Sequence, residues 1–141
     1  MQENAAIALL KNEGYTLLLY NETEIITERA RGVAPLVSLL DGKKNCASFS
    51  AVDKVVGKAA AFLYILLGIR RVFALTVSES ALALLQGYGI AVGYEVCVPR
   101  IKNREGTGFC PMESAVFAEK DPSSALRAIR AALAALRSRQ K

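Results

Sequence analysis

The stretch Asp53 to Val77, DKVVGKAAAFLYILLGIRRVFALTV, decides how the rest of the chain is arranged. Asp53 is a good helix N-cap, nearly every position of Lys54–Leu67 is apolar, and Gly68 can close the segment, so the pattern predicts a central helix over 54–67. A helix apolar nearly all round must be covered on most sides. The run Val72–Val77 that follows reads as a buried strand. A buried helix feeding a buried strand is the repeating unit of an α/β fold.

Upstream, residues 4–12 suit a short helix stopped by Gly14, and Tyr15–Tyr20 with Glu24–Glu28 suit a hairpin turning at Asn21 and Glu22. Gly32–Leu40 reads as a short helix with Pro35 in its first turn, and Cys46–Ser50 as a short extended piece. Downstream, Ser78 caps a helix over Glu79–Gln86, and Pro99 ends a strand over Ile90–Val98. Residues 100–110 form a polar loop rich in glycine and cations, and Pro111 opens a helical turn. Asp121 and Pro122 start a basic amphipathic helix over 122–139. Strands separated by helices after an opening hairpin imply an α/β fold of one domain, 1–141: a three-layer α/β/α sandwich with a mixed sheet.

The 141 residues are 52% hydrophobic and 22% charged, which excludes a disordered or low-complexity chain. Histidine is absent, which removes Ser-His-Asp, Cys-His and His-ligated metal chemistry. Three cysteines without a secretory leader predict free thiols and a cytoplasmic location. The longest uncharged apolar run, Ala59–Ile69, is about half of the roughly 20 residues that span a bilayer, so no membrane anchor is expected. The net charge of +5 resides in residues 127–141, where Arg127, Arg130, Arg137, Arg139 and Lys141 meet no acid and the rest of the chain is balanced. Leu126, Ile129, Leu133 and Leu136 form an apolar stripe in that helix, and its arginines suit a solvated face. No aromatic residue interleaves with them, so contact with RNA or another acidic partner is a lesser alternative.

In open α/β sheets ligands settle beyond the carboxyl ends of the strands, where helix N-termini point outward. Three segments should converge there: Asp53 with Lys54, Ser78 to Ser80, and the loop Asn103 to Glu113. Lys54 and Lys58, four apart in an apolar helix, are candidates for binding phosphate or carboxylate or for amine nucleophilicity; the plain alternative is that they snorkel to solvent. Asn103, Arg104, Thr107 and Gly108 could hold an anionic oxygen in a glycine-rich turn that is not a P-loop. Cys110, next to a helix start, is the best nucleophile on offer, with Asp53 or Glu113 moving a proton; equally, Cys110 can be structural and Glu113 can complete its own helix cap. Cys46 and Cys97 read as structural. Asp53, Glu79 and Glu113 have no spacing that recommends a metal, and no cofactor is expected.

The string Asp53 to Ala59 (DKVVGKA), with Asn103-Arg104, Thr107-Gly108 and Cys110-Pro111-Met112-Glu113, resembles a family of small prokaryotic proteins known as a domain of unknown function and placed by fold in the cytidine-deaminase-like superfamily. The resemblance covers roughly residues 5 to 135 and implies a mixed five-stranded sheet between helices. Enzymes of that superfamily activate water on zinc held by H-x-E or C-x-E and P-C-x-x-C motifs at two helix starts. Here those starts read Asp53-Lys54-Val55-Val56 and Ser78-Glu79-Ser80-Ala81, so zinc-dependent deamination is not expected. The resemblance leaves a deaminase-type pocket without zinc ligands, lined by Asp53, Lys54, Lys58, Ser78 and Ser80. The leading expectation is that it binds a small anionic ligand, nucleotide-like or phosphorylated. The alternatives are a metal-free enzyme using Cys110 or a lysine, and an interaction protein acting through the basic helix. A homodimer fits the resemblance, since such folds complete pockets across subunits.

Overall fold

The computed structural model describes residues 1–102, 106, 108 and 110–139. Among these the chain forms, in order, α1 (Glu3–Glu13), β1 (Leu17–Tyr20), β2 (Ile25–Glu28), α2 (Ala34–Asp41), β3 (Ser50–Val56), α3 (Lys58–Leu67), β4 (Arg71–Ser78), α4 (Glu79–Gly87), β5 (Ala91–Val98), α5 (Pro111–Val116) and α6 (Pro122–Arg139). The strands make one open mixed sheet in the order β2-β1-β3-β4-β5. β1 runs antiparallel to both β2 and β3, whereas β3, β4 and β5 are parallel. Parallel neighbours need a crossover, and α3 and α4 supply the two. The hairpin turns on Asn21, whose Oδ1 accepts the Thr23 and Glu24 N–H groups at 2.9 and 2.7 Å.

The expected helix over 54–67 is corrected in its first turn. Ser50–Val56 is the strand β3, and the helix begins only at Lys58, with Gly57 as an extended N-cap. Asp53 and Lys54 are therefore strand residues, and Lys54 and Lys58 do not share a helix face. The expected extended piece over 46–50 likewise gives way to a turn at Ala47 and Ser48, the strand starting at Ser50. Two physical reasons override the local pattern. Val52, Val55 and Val56 are β-branched and suit a strand between two others. Moreover, the first amides of α3 are satisfied not by a neighbouring side chain but by Glu113, which accepts from Lys58 N at 2.6 Å and from Ala59 N at 3.0 Å.

The rest of α3 behaves as its composition demands. Ala59 to Tyr64 are all buried, and α2, α4, α5 and α6 pack around them. α6 buries Ala125 and Ile129 against this core, with Leu126, Leu133 and Leu136 half-buried beside them, as the apolar stripe requires. The other face of the sheet carries α1, whose Ala6 and Leu10 cover Leu18, Tyr20 and Val52. Ion pairs from Glu3 to Arg71 (2.6 Å) and from Lys11 to Glu95 (2.7 Å) tie that helix to β4 and β5. Among the described residues, no helix is long and apolar enough to cross a membrane.

Candidate functional site

Asp53 lies in the middle of the sheet, between Leu17 of β1 and Ala74 of β4. Its Oδ2 accepts the Tyr64 hydroxyl at 2.5 Å, and its Oδ1 accepts the Val55 N–H at 3.3 Å. Tyr64 is fully buried in α3, and a buried phenol needs such a partner. Burial pushes the Asp53 carboxyl up to about 7, against the opposing hydrogen bonds from Tyr64 and from the Val55 and Lys54 amides. Burial and the neighbouring Asp53 hold the phenol well above its ordinary value, so it stays a donor. Among the described residues no ion pair involves Asp53. A carboxyl able to exchange its proton near neutrality inside a cavity is a candidate for ligand binding or proton transfer.

Asp53 lines a cavity of about 360 Å³ whose wall also includes Arg31, Lys54, Lys102, Cys110, Met112 and Glu113, over an apolar lining that includes Leu17, Val33, Leu36 and Ile101. The polar loop after β5 leaves and returns at this wall, since Cys110 N–H donates to the Ile101 carbonyl at 3.2 Å. A second cavity of about 550 Å³ lies on the other side of Glu113, lined by Lys58, Glu79, Ser80, Arg100, Ser114 and Phe117 among others. Glu113 and Ile101 belong to both walls. The partition is close-fitting: a Cβ at Gly57 would overlap the Glu113 carboxylate, so the glycine is what lets that side chain reach the α3 amides.

The expected convergence is thus split. Asp53, Lys54, Cys110 and Glu113 meet at the smaller cavity, while Lys58 and Ser80 face the larger one. Lys58 Nζ donates to the Phe117 carbonyl at 3.0 Å. Ser78 is buried and caps α4, its Oγ accepting Ala81 N–H at 3.2 Å. The α3 N-terminus already holds the chain's own Glu113 carboxylate, where an outside anion was expected. Gly108 is an exposed bend. Asn103, Arg104 and Thr107 lie outside the described residues. Cys46 is buried, as a structural cysteine should be, but Cys97 is exposed at the sheet edge and is corrected to a surface thiol. Arg130 of the basic helix pairs with Asp41 at 2.7 Å. Among the described residues, no three of cysteine, aspartate and glutamate gather as a metal would need.

Arg31, Lys102 and Tyr64 are the site residues that pattern reasoning missed. Tyr64 carried a signal, being the one polar side chain inside an otherwise apolar helix interior. Arg31 and Lys102 carried none, because their place depends on how two distant loops meet.

A family model described as a domain of unknown function, DUF1893 (TM1506), matches residues 5–133. The chain belongs to the DUF1893 family. The DUF1893 match spans Asp53–Ala59 and Cys110–Glu113, both of which contribute residues to the wall of the smaller cavity. The crystal structure of a DUF1893 family protein, TM1506 from Thermotoga maritima, superposes with a TM-score of 0.82 at 28% identity, covering 95% of this chain and 91% of that one. No curated protein matches.

Proposed function

We propose that the smaller cavity binds a small anionic molecule, nucleotide-like or phosphorylated, with an apolar part against its lining. The observation that carries this reading is the set of three cations, Arg31, Lys54 and Lys102, lining one cavity without an ion-pair partner among the described residues. Cations gathered around a concave apolar surface raise the local concentration of anions and gain in strength as water leaves. The scaffold we infer is a cytidine-deaminase-like three-layer sandwich. Where that superfamily carries its first zinc motif, at the start of the central helix, this chain offers Gly57, Lys58 and the capping Glu113 carboxylate, with Asp53 and Lys54 inside β3. The site therefore binds without zinc and without a cofactor.

Thermal shift against nucleotides, nucleotide sugars and sugar phosphates tests the reading. A ligand at about 100 times its dissociation constant stabilises by about 2.7 kcal/mol, a shift of several degrees. One class should stabilise the wild type and not Lys54→Ala or Lys102→Ala. No shift from any phosphorylated compound would end it.

A second reading has its own observation: Asp53 and Cys110 line the same cavity. It makes the chain a metal-free enzyme in which Cys110 attacks an electrophile and Asp53 moves the proton. Its mark is activity lost in a folded Cys110→Ala protein; full activity there removes the cysteine.

A further inference from the structure

We propose that anion binding in the smaller cavity is coupled to uptake of one proton from solvent by Asp53, so that the ligand enters as an anion together with a proton. This rests on the anion-binding reading above and adds to it a control by pH.

The argument starts from geometry. The carboxyl is fixed between Tyr64 Oη and the Val55 amide, on the wall of the cavity that the ligand would fill. Its neighbours in the sheet, Leu17 and Ala74, carry no charge. The charged or titratable groups on the elements around it are Tyr64 of α3, Lys54 of its own strand, Arg31 ahead of α2, Lys102 after β5, and Cys110 and Glu113 at α5. Glu113 is committed to the Lys58 and Ala59 amides, and no cation forms an ion pair with Asp53 among the described residues. An anion placed in this cavity therefore sets a second negative charge beside a poorly hydrated carboxylate. Like charges within a few ångströms raise the affinity of a carboxylate for a proton by about 1 to 3 pH units. Because the carboxyl is already raised to about 7 in the empty protein, this coupling acts at ordinary pH. By linkage, whatever makes the proton bind more tightly when the anion is present makes the anion bind more tightly when the proton is present.

The proton moves from solvent to a carboxylate oxygen, and no other bond forms or breaks. A ligand that is anionic at all working pH values then binds best in mildly acidic solution. A neutral molecule of the same shape shows no such preference.

The probe is a pair of small sulfonates with apolar bodies, butanesulfonate and benzenesulfonate, which do not titrate between pH 5.5 and 8.5. Calorimetry on the full chain gives both affinity and proton uptake, the latter from the change of apparent enthalpy with buffer ionisation enthalpy. Binding should tighten about tenfold or more from pH 8.5 to 5.5, with up to one proton taken up near pH 7.5. Asp53→Asn should flatten the dependence. Tyr64→Phe, which removes a hydrogen bond favouring the ionised form, should move its midpoint to higher pH. Binding that is equal at all pH values, or pH-dependent to the same degree in Asp53→Asn, overturns the coupling and leaves the anion site standing. No binding of either sulfonate at any pH overturns the anion site and the coupling with it.

Discussion

Glu113 supplies α3 with the cap that Gly57, having no side chain, cannot supply. The carboxylate takes two of the amides that every helix start leaves without partners, and it also brings α5 to the wall between the two cavities. Glu113→Ala should lower stability by about 1 to 2 kcal/mol, read as a lower urea midpoint at unchanged m. Gly57→Ala should also destabilise, because the added methyl meets the carboxylate and not because of backbone strain, Gly57 lying in the extended region. The two effects share one cause. In a Glu113→Ala background the glycine substitution should cost much less, with a coupling of at least about 0.5 kcal/mol in the double-mutant cycle. Strict additivity would show that the two residues do not meet. Glu113 was conspicuous in the sequence as a carboxylate in the first turn of a short helix, where it reads as a cap for its own α5. Its true partner is 55 residues away, a distance that no local spacing encodes.

At the level of elements, what was legible in the sequence was whatever is closed locally. Ser78 was expected to cap α4 and does so through Ala81 N–H, Gly68 closes α3 in the left-handed region, and Asp121 accepts the Ser124 amide to start α6. β3 is hidden from local pattern because its ends are defined by its neighbours in the sheet and by Glu113, while Asp53 looks by composition like a cap. Local pattern alone puts the site's lysines on one helix face, whereas Lys54 is on a strand and Lys58 opens a helix. The amphipathic reading of α6 gives a sharp contrast to measure. Ile129→Ala removes a fully buried side chain packed on the core and should cost about 2 to 5 kcal/mol, whereas Arg127→Ala on the exposed face should stay within about 0.5 kcal/mol. Ser78→Ala should fall between them, at about 1 kcal/mol, through loss of the α4 cap. Equal costs for Ile129 and Arg127 in chemical denaturation would mean that the helix does not dock through this stripe.

Over the whole molecule, the absence of histidine turns Asp53 into a readable signal. With no imidazole, no side chain at its ordinary value changes charge between about pH 5 and 7. Asp53 in the unfolded chain titrates near 4, whereas in the folded protein burial holds it at about 7. Between those values the folded protein keeps a proton that the unfolded chain has released. The stabilisation is therefore complete below about pH 4 and is lost as pH rises through 7, with a slope of at most about 1.4 kcal/mol per pH unit for one proton. The more usual paired carboxylate gives the opposite sign, as for Asp41, which Arg130 holds below its ordinary value. Urea denaturation at half-unit steps from pH 5 to 7 should show wild-type stability declining, and the same series on Asp53→Asn should be flatter. The neutral amide then gains on the wild type as pH rises, since it avoids burying a charge that the native carboxylate must carry there. A wild-type stability that rises towards pH 7, or parallel curves for the two proteins, would mean that Asp53 is ionised throughout. The cavity would then hold a permanent negative charge, and the case for an anionic ligand beside it would rest on Arg31, Lys54 and Lys102 alone.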